Sequence, residues 1–273
     1  MKEMTLKDIQ QVSLAILKDV HEFCVRNDIK YTLFAGTLIG AVRHHGFIPW
    51  DDDLDIAMPR PDYDRFVQTY RSSNGYKLMF RNGHENDVAL AYARLCDMEN
   101  TYVDTSAFFW TSERVGIWID IFPLDGMPSD RTLAEQRTEE IFRHWKKGMV
   151  IRDCLRPLSF DRGLHAFLGQ VKNKYLHRHR LNRICDQHIA LCREIPFESA
   201  EYYSNISWPG FKMREYYRKD ALSSYILMPF EDAEFYVMQG YDGALRSKYG
   251  DYMQLPPVEE RETRHQFNKY YWK

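Results

Sequence analysis

The chain has 273 residues, 44% of them hydrophobic and 28% charged, with a formal net charge of -2. These totals fit a folded protein with a substantial core and argue against a dedicated nucleic-acid binder, so no nucleic-acid partner is expected. Five scattered cysteines (Cys24, Cys96, Cys154, Cys185, Cys192) form no CxxC pair, which excludes a disulfide framework or a thiolate zinc site and suits a reducing cytoplasm.

The N-terminus, MKEMTLKDIQQ, is polar and lacks the apolar core of a signal peptide. Residues 5–27 read as an amphipathic helix: Leu6, Ile9, Val12, Ile16, Val20 and Phe23 recur at steps of three and four, and Thr5 with Asp8 forms a capping pair. Residues 29–35 (IKYTLFA) read as a strand that ends at Gly36-Thr37, after which LIGAVRHH turns helical. A strand, a small-residue turn and a helix N-terminus present backbone N–H groups that suit a phosphate. Residues 54–58 predict a short strand stopped by Pro59 and Pro61, and 62–70 a helix. Further strands are expected over 76–80, 88–98 and 115–122, with a turn at Asn82-Gly83.

Beyond Asp130 the character changes. Two long helical stretches, 130–155 and 161–195, carry many of the basic residues, and the tail from Phe197 mixes aromatics with turns. Nothing reaches the roughly 20 apolar residues that a spanning helix needs. The expected class is α/β (α+β): a core over 1–128 built on a mixed sheet with flanking helices, and a helical and irregular region over 129–273 that closes over it.

The stretch IPWDDDLDIAMP crowds four aspartates between apolar residues. If the strand pleat extends through them, Asp51, Asp53 and Asp55 share one face while Asp52 and Leu54 take the other. Carboxylates so placed repel unless a cation neutralises them, and magnesium takes one or two carboxylates while leaving room for phosphates and water. A calcium loop fails, because its sixth and twelfth positions hold Ile56 and Asp62 rather than Gly and Glu. The competing reading is a solvated acidic turn. Downstream, GIWIDIFPLDG sets Asp120 on one face with Trp118 and Phe122, where a carboxylate requires a partner: a metal, or an arginine in a buried salt bridge. The ordered set of GT, DxD and a third Asp resembles the constellation of the nucleotidyltransferase superfamily fold.

The longer string FAGTLIGAVRHHGFIPWDDDLDIAMPRPDYDRF resembles the signature of the LicD family, which includes bacterial phosphocholine transferases and, more distantly, fukutin and fukutin-related protein. The resemblance continues through YARLCDMENTYVD, GIWIDIFPLDG and YGDYMQLPPVEERETRH, and is weakest over about 130–195. It implies metal-dependent transfer of phosphocholine, or a related phospho-alcohol, from CDP-choline or another CDP-alcohol. The acceptor would be a hydroxyl of a cell-envelope glycan such as teichoic acid or lipooligosaccharide, and CMP would be released. By motif, Gly36 and Thr37 would cradle donor phosphates, and Asp53 and Asp55 would bind Mg2+, or Mn2+ in its place, with Asp51 as a further ligand. Asp120 would be the third carboxylate, as general base or metal ligand. Unlike the eukaryotic relatives, the chain has no cysteine cluster for a zinc finger.

Other residues are weighed beside that set. Arg43 and Arg94 either contact phosphate or form surface salt bridges. A quaternary ammonium is bound by aromatic faces, and Phe108-Phe109-Trp110, Tyr202-Tyr203, Trp208 and Tyr216-Tyr217 are candidate cage residues among 18 Tyr, 16 Phe and 6 Trp, most of them expected in the core. The proline-stiffened loop with Glu259, Glu260, Arg261 and His265 either closes the site or is a docked tail. Over 172–183, Lys172, Lys174, Arg178, Arg180 and Arg183 form either a solvated helix face or a peripheral contact with the inner face of the cell membrane, where a lipid-linked acceptor would lie; RNA is a weaker third partner. His44-His45 reads as a helix end. Two other functions stay open: a nucleotidyltransferase that releases pyrophosphate, and a non-catalytic choline- or glycan-binding protein.

Overall fold

A computed structural model describes residues 1–72, 74–82, 88–105, 109–160, 163–263 and 268–273. The chain opens with a two-residue strand, β1 (Lys2–Glu3), and the long helix α1 (Leu6–Arg26). The expected cap is present: the Asp8 N–H donates to Thr5 Oγ1 and the Thr5 N–H donates to the Asp8 carboxylate at 2.8 Å. The apolar face of α1, including Ile9, Ile16, Leu17 and Val20, is buried.

The strand expected over 29–35 is only β2 (Thr32–Leu33), because α2 (Ala35–His44) starts sooner than the composition implied. Ala35 takes a φ of 48°, a left-handed step that turns the chain from strand into helix. Gly36 and Thr37 therefore lie in the first turn of α2 rather than in a loop. The helix ends at the histidine pair as expected, with His45 in the left-handed conformation (φ 55°, ψ 31°). Then follow β3 (Asp55–Pro59), α3 (Arg60–Thr69), β4 (Lys77–Met79), β5 (Ala93–Cys96), β6 (Thr101–Thr105) and β7 (Trp118–Met127). The expected turn at Asn82-Gly83 lies partly outside the described residues.

Helix α4 (Arg131–Ile151) is capped by the Asp130 carboxylate, which accepts from the Leu133 N–H at 2.8 Å. It packs against α5 (Gly163–Cys192). The tail supplies β8 (Tyr202–Ser204), β9 (Tyr217–Arg218), the hairpin β10 (Tyr225–Phe230) and β11 (Ala233–Met238), α6 (Tyr241–Tyr249) and β12 (Asn268–Trp272).

The main sheet runs β2-β3-β7-β5-β4. Its central pair, β3 and β7, is parallel, and the other neighbours are antiparallel. Residues from both strands are fully buried, among them Ile56, Ala57, Met58, Ile119, Ile121 and Leu124, as expected of near-continuous apolar strands covered on both faces. The fold is mixed α+β. Beyond residue 128 the sheet continues: β8 pairs with the far end of β7, and β9 with β8. The hairpin closes over β2, where the Met238 N–H donates to Thr32 Oγ1 at 3.0 Å. Apart from this sheet, β12 pairs antiparallel with both β1 and β6. All five cysteines are free thiols, and among the described residues no helix is long and apolar enough to cross a membrane.

Candidate active site

The site lies where β3 and β7 begin side by side. Asp55 and Asp120 are register partners on these parallel strands, and the Asp120 N–H donates to the Leu54 carbonyl at 2.9 Å. The first turn of α2 buttresses the start of β3: the Asp55 N–H donates to the buried hydroxyl of Thr37 at 2.8 Å. Thr37 thus spends its side chain on holding Asp55. Gly36 has a different reason to be small, since a Cβ there would stand 2.9 Å from Oδ2 of Asp51. The Asp51 carboxylate rests against the helix where a side chain would otherwise project.

The pleat expected through all four aspartates is absent, because regular strand begins only at Asp55. Asp52 does turn away from the others, but for a specific purpose. It is buried and accepts from the hydroxyls of Thr263 at 2.5 Å and Tyr270 at 3.0 Å. Asp55 is half-buried, and burial pushes its carboxyl well above the usual range. The charges of Asp53, Asp120 and Asp51 push the same way, and Lys248 opposes them.

Asp120 has an arginine partner. Nε of Arg94 donates to Oδ1 at 2.5 Å and a terminal nitrogen donates to Oδ2 at 3.1 Å. The guanidinium is buried between indoles, 4.7 Å from the Trp110 ring and 4.5 Å from the Trp118 ring. Its charge is raised in persistence by Asp120 despite the burial. Arg94 therefore stands in a buried pair beside the site and not at the surface.

Two cavities meet at these carboxylates. One, of about 300 Å3, is walled by Phe34, Tyr92, Phe122, Trp208 and Phe211 and reaches Asp53, Asp55 and Asp120. At one end lies a buried ion pair, Lys248 Nζ to Glu215 Oε1 at 2.5 Å. The other cavity, of about 540 Å3, is bounded by Gly36, Arg43, Asp51, Pro256, Pro257 and Glu260, and also includes Asp53 and Asp55. Arg43 borders it while donating to the carbonyls of Tyr252 at 2.7 Å and Gln254 at 3.2 Å, which fastens the proline loop. Arg261 donates to the Pro256 carbonyl at 3.0 Å and lies 5.7 Å from the Trp50 ring. Glu259 is exposed and borders neither cavity; His265 lies outside the described residues.

Among the cage candidates, Trp208 lines the aromatic cavity. Tyr203 and Tyr217 are buried in the main core, Tyr202 and Tyr216 stack on each other at 4.5 Å, and Trp110 covers Arg94. Phe109 packs in a small cluster with Leu155 and Leu181, and Phe108 is not among the described residues. Residues that the sequence reading missed are Tyr92, Phe122 and Phe211 as cavity walls, and Glu215 with Lys248. Tyr92 and Phe122 sat inside quoted motifs; Glu215 and Lys248 are single charges in charge-rich segments and carry no local signal.

Whether the site suits a metal rests on its donor set. Among the described residues no three carboxylates, imidazoles or thiolates converge into a complete cage. Asp53 and Asp55 offer a pair, which is the protein's usual share for magnesium when phosphates and water supply the rest. The burial and like charge that oppose ionisation of Asp55 are what a cation would relieve.

The sequence profile of the family described as LicD/FKTN/FKRP, nucleotidyltransferase domain, matches residues 28–161. The lipopolysaccharide cholinephosphotransferase LicD of Haemophilus influenzae is 31% identical over 280 aligned positions, covering 97% of each chain. The chain belongs to the LicD family. The ribitol 5-phosphate transferase FKRP of Mus musculus is 27% identical over 150 residues, 54% of this chain and 26% of that one. An uncharacterized Rickettsia typhi protein is 53% identical over 53 residues, 19% of this chain and 17% of its own. The LicD-family match spans α2, β3, β5 and β7, so it contains Asp51, Asp53, Asp55 and Asp120, and with family membership comes the class of phosphotransferase.

Proposed function

We propose that this LicD-family protein transfers phosphocholine from CDP-choline to a hydroxyl of a cell-envelope glycan, lipopolysaccharide or lipooligosaccharide in the first place and teichoic acid in the second, releasing CMP. The protein then works on the cytoplasmic side, where CDP-linked donors are made. One observation carries the choice of a cationic alcohol. A cation already sits on the rings of the aromatic cavity: Nζ of Lys248 is 4.2 Å from the Phe211 ring and 4.5 Å from the Phe34 ring. Tyr92, Phe122 and Trp208 line the same cavity, and the Glu215 carboxylate balances the resident Lys248 at its end. The name of the Haemophilus relative points the same way.

In this reading Asp53 and Asp55 hold Mg2+, or Mn2+, with Asp51 beside them. The bound cation would draw charge from the donor pyrophosphate. Thr37 has committed its hydroxyl to Asp55, so Gly36 and Thr37 meet phosphate through backbone N–H groups of the helix N-terminus. Asp120 keeps lone pairs beyond the two that Arg94 engages. It either takes the proton of the attacking hydroxyl or joins the cation, and Arg94 sets its direction. Because Asp53 and Asp55 border both cavities, donor and acceptor can approach the phosphoryl group from opposite sides, as in-line attack requires.

The test is product identity. Purified protein, CDP-choline, magnesium and lipooligosaccharide should release CMP, and Asp53→Asn should abolish that release. Release of pyrophosphate from a nucleotide substrate would replace this reading with nucleotidyl transfer. Choline binding without metal or turnover, unchanged in Asp53→Asn, would replace it with a binding protein.

A further inference from the structure

The first half of α5 carries an apolar stripe that the fold leaves uncovered. Leu164, Leu168, Val171 and Tyr175 follow one another at steps of four, three and four, which places them in one narrow arc of the helix. They are 64%, 56%, 39% and 83% exposed. Phe160, just before the helix, is also exposed, and its ring stacks on that of Phe167. No residue of α5 before Leu181 is buried, whereas Leu181, Ile184, His188 and Cys192 are. Contiguous apolar surface of this kind on a folded chain marks an interaction site.

Charge selects the partner. From Gly163 to Cys185 the helix has no acidic residue. At about 100° per residue, Lys172 falls on one flank of the stripe and Lys174 and Arg178 on the other. A two-fold contact with a second copy would set these cations against their own images with no carboxylate on the segment to answer them. An apolar stripe edged by basic side chains is instead the pattern of a helix that lies in a membrane interface.

We propose that the first half of α5 docks the protein on an anionic bilayer, with Leu164, Leu168, Val171 and Tyr175 below the headgroups and Lys172, Lys174 and Arg178 on the phosphates. The expectation from charge alone put the contact at 172–183. The exposed stripe moves it toward the start of the helix and excludes Arg180, which falls on the far side of the helix from the stripe.

The experiment is cosedimentation of the full chain with phosphatidylcholine vesicles, with and without phosphatidylglycerol. It reads binding, so its failure is separate from that of the proposed chemistry. Binding should require phosphatidylglycerol and weaken with salt. Leu168→Glu with Tyr175→Glu, and separately Lys172→Glu with Lys174→Glu, should each lower affinity by on the order of tenfold or more with an unchanged circular dichroism spectrum. Absence of vesicle binding by the unaltered chain overturns the proposal, as does loss in the lysine variant alone, which would indicate surface electrostatics without insertion. A concentration-dependent dimer in sedimentation velocity, abolished by Leu168→Glu and accompanied by no vesicle binding, would assign the stripe to a second copy.

Discussion

Arg60 and Asp125 are joined by two parallel hydrogen bonds of 2.6 and 2.7 Å, and both side chains are buried. Arg60 opens α3 and Asp125 lies toward the end of β7, so the pair pins the helix that follows the acidic strand to the sheet's central strand. Removing Asp125 leaves the buried Arg60 guanidinium with only the more distant Asp64 carboxylate, at 3.7 Å. Asp125→Ala should therefore cost about 3–5 kcal/mol in urea unfolding, whereas replacing both residues with apolar ones of similar volume should cost much less.

Asp55→Asn removes a charge that burial and three neighbouring aspartates disfavour. Thermal unfolding should show a stabilised protein, with Tm higher by roughly 2–4 °C for each kcal/mol relieved, and CMP release should be lost. A lower Tm would make Asp55 a structural residue.

Metal binding should be visible without turnover. Magnesium should raise the Tm of the unaltered chain in proportion to the logarithm of its concentration, and should have no such effect on Asp53→Asn. Equal shifts in both proteins would place the ion elsewhere.

Gly36→Ala sets a methyl group 2.9 Å from the end of a flexible side chain, Asp51. Asp51 can swing aside, so stability should fall by less than about 1 kcal/mol. If Asp51 is a ligand of the proposed ion, the magnesium concentration needed for half-maximal CMP release should rise. An unchanged metal requirement would remove Asp51 from the ligand set.

His188 supplies a pH dependence remote from the carboxylates. Burial holds its imidazole down to about 4 from an ordinary 6.5, against the pull of the Ser207 carbonyl. The folded state therefore resists a proton that the unfolded chain accepts. Its contribution is complete above pH 6.5 and is lost as pH falls toward 4, by up to about 3 kcal/mol. Urea titrations across that window should show the slope, and His188→Gln should flatten it.

Local chemistry explains what the sequence made legible. The Thr5–Asp8 cap, the helix end at His44-His45 and the placing of Asp55 and Asp120 each on a strand depend on residues close in the chain or on an apolar run with one charge in it, whereas the pairing of those two strands does not. Asp120 even carried its own demand for a partner, and Arg94 met it. What stayed hidden depends on register and long-range packing. Nothing in MREYYRKD or ALRSKYG marks Glu215 and Lys248 as a buried pair. Gly36-Thr37 read as a turn because small residues favour turns, yet the left-handed Ala35 brought the helix forward to include them. Asp52 looked like the odd carboxylate of a pleat, and its true partners lie 211 and 218 residues further along.

That separation sets an order of events. During synthesis the four aspartates leave the ribosome early, and the two hydroxyls that hold Asp52, those of Thr263 and Tyr270, belong to residues among the last of these 273. Until β12 slots between β1 and β6, the acidic loop lacks its inner anchor. A chain that has not yet added β12 thus carries the whole acidic motif without the two hydroxyls that hold Asp52 in place.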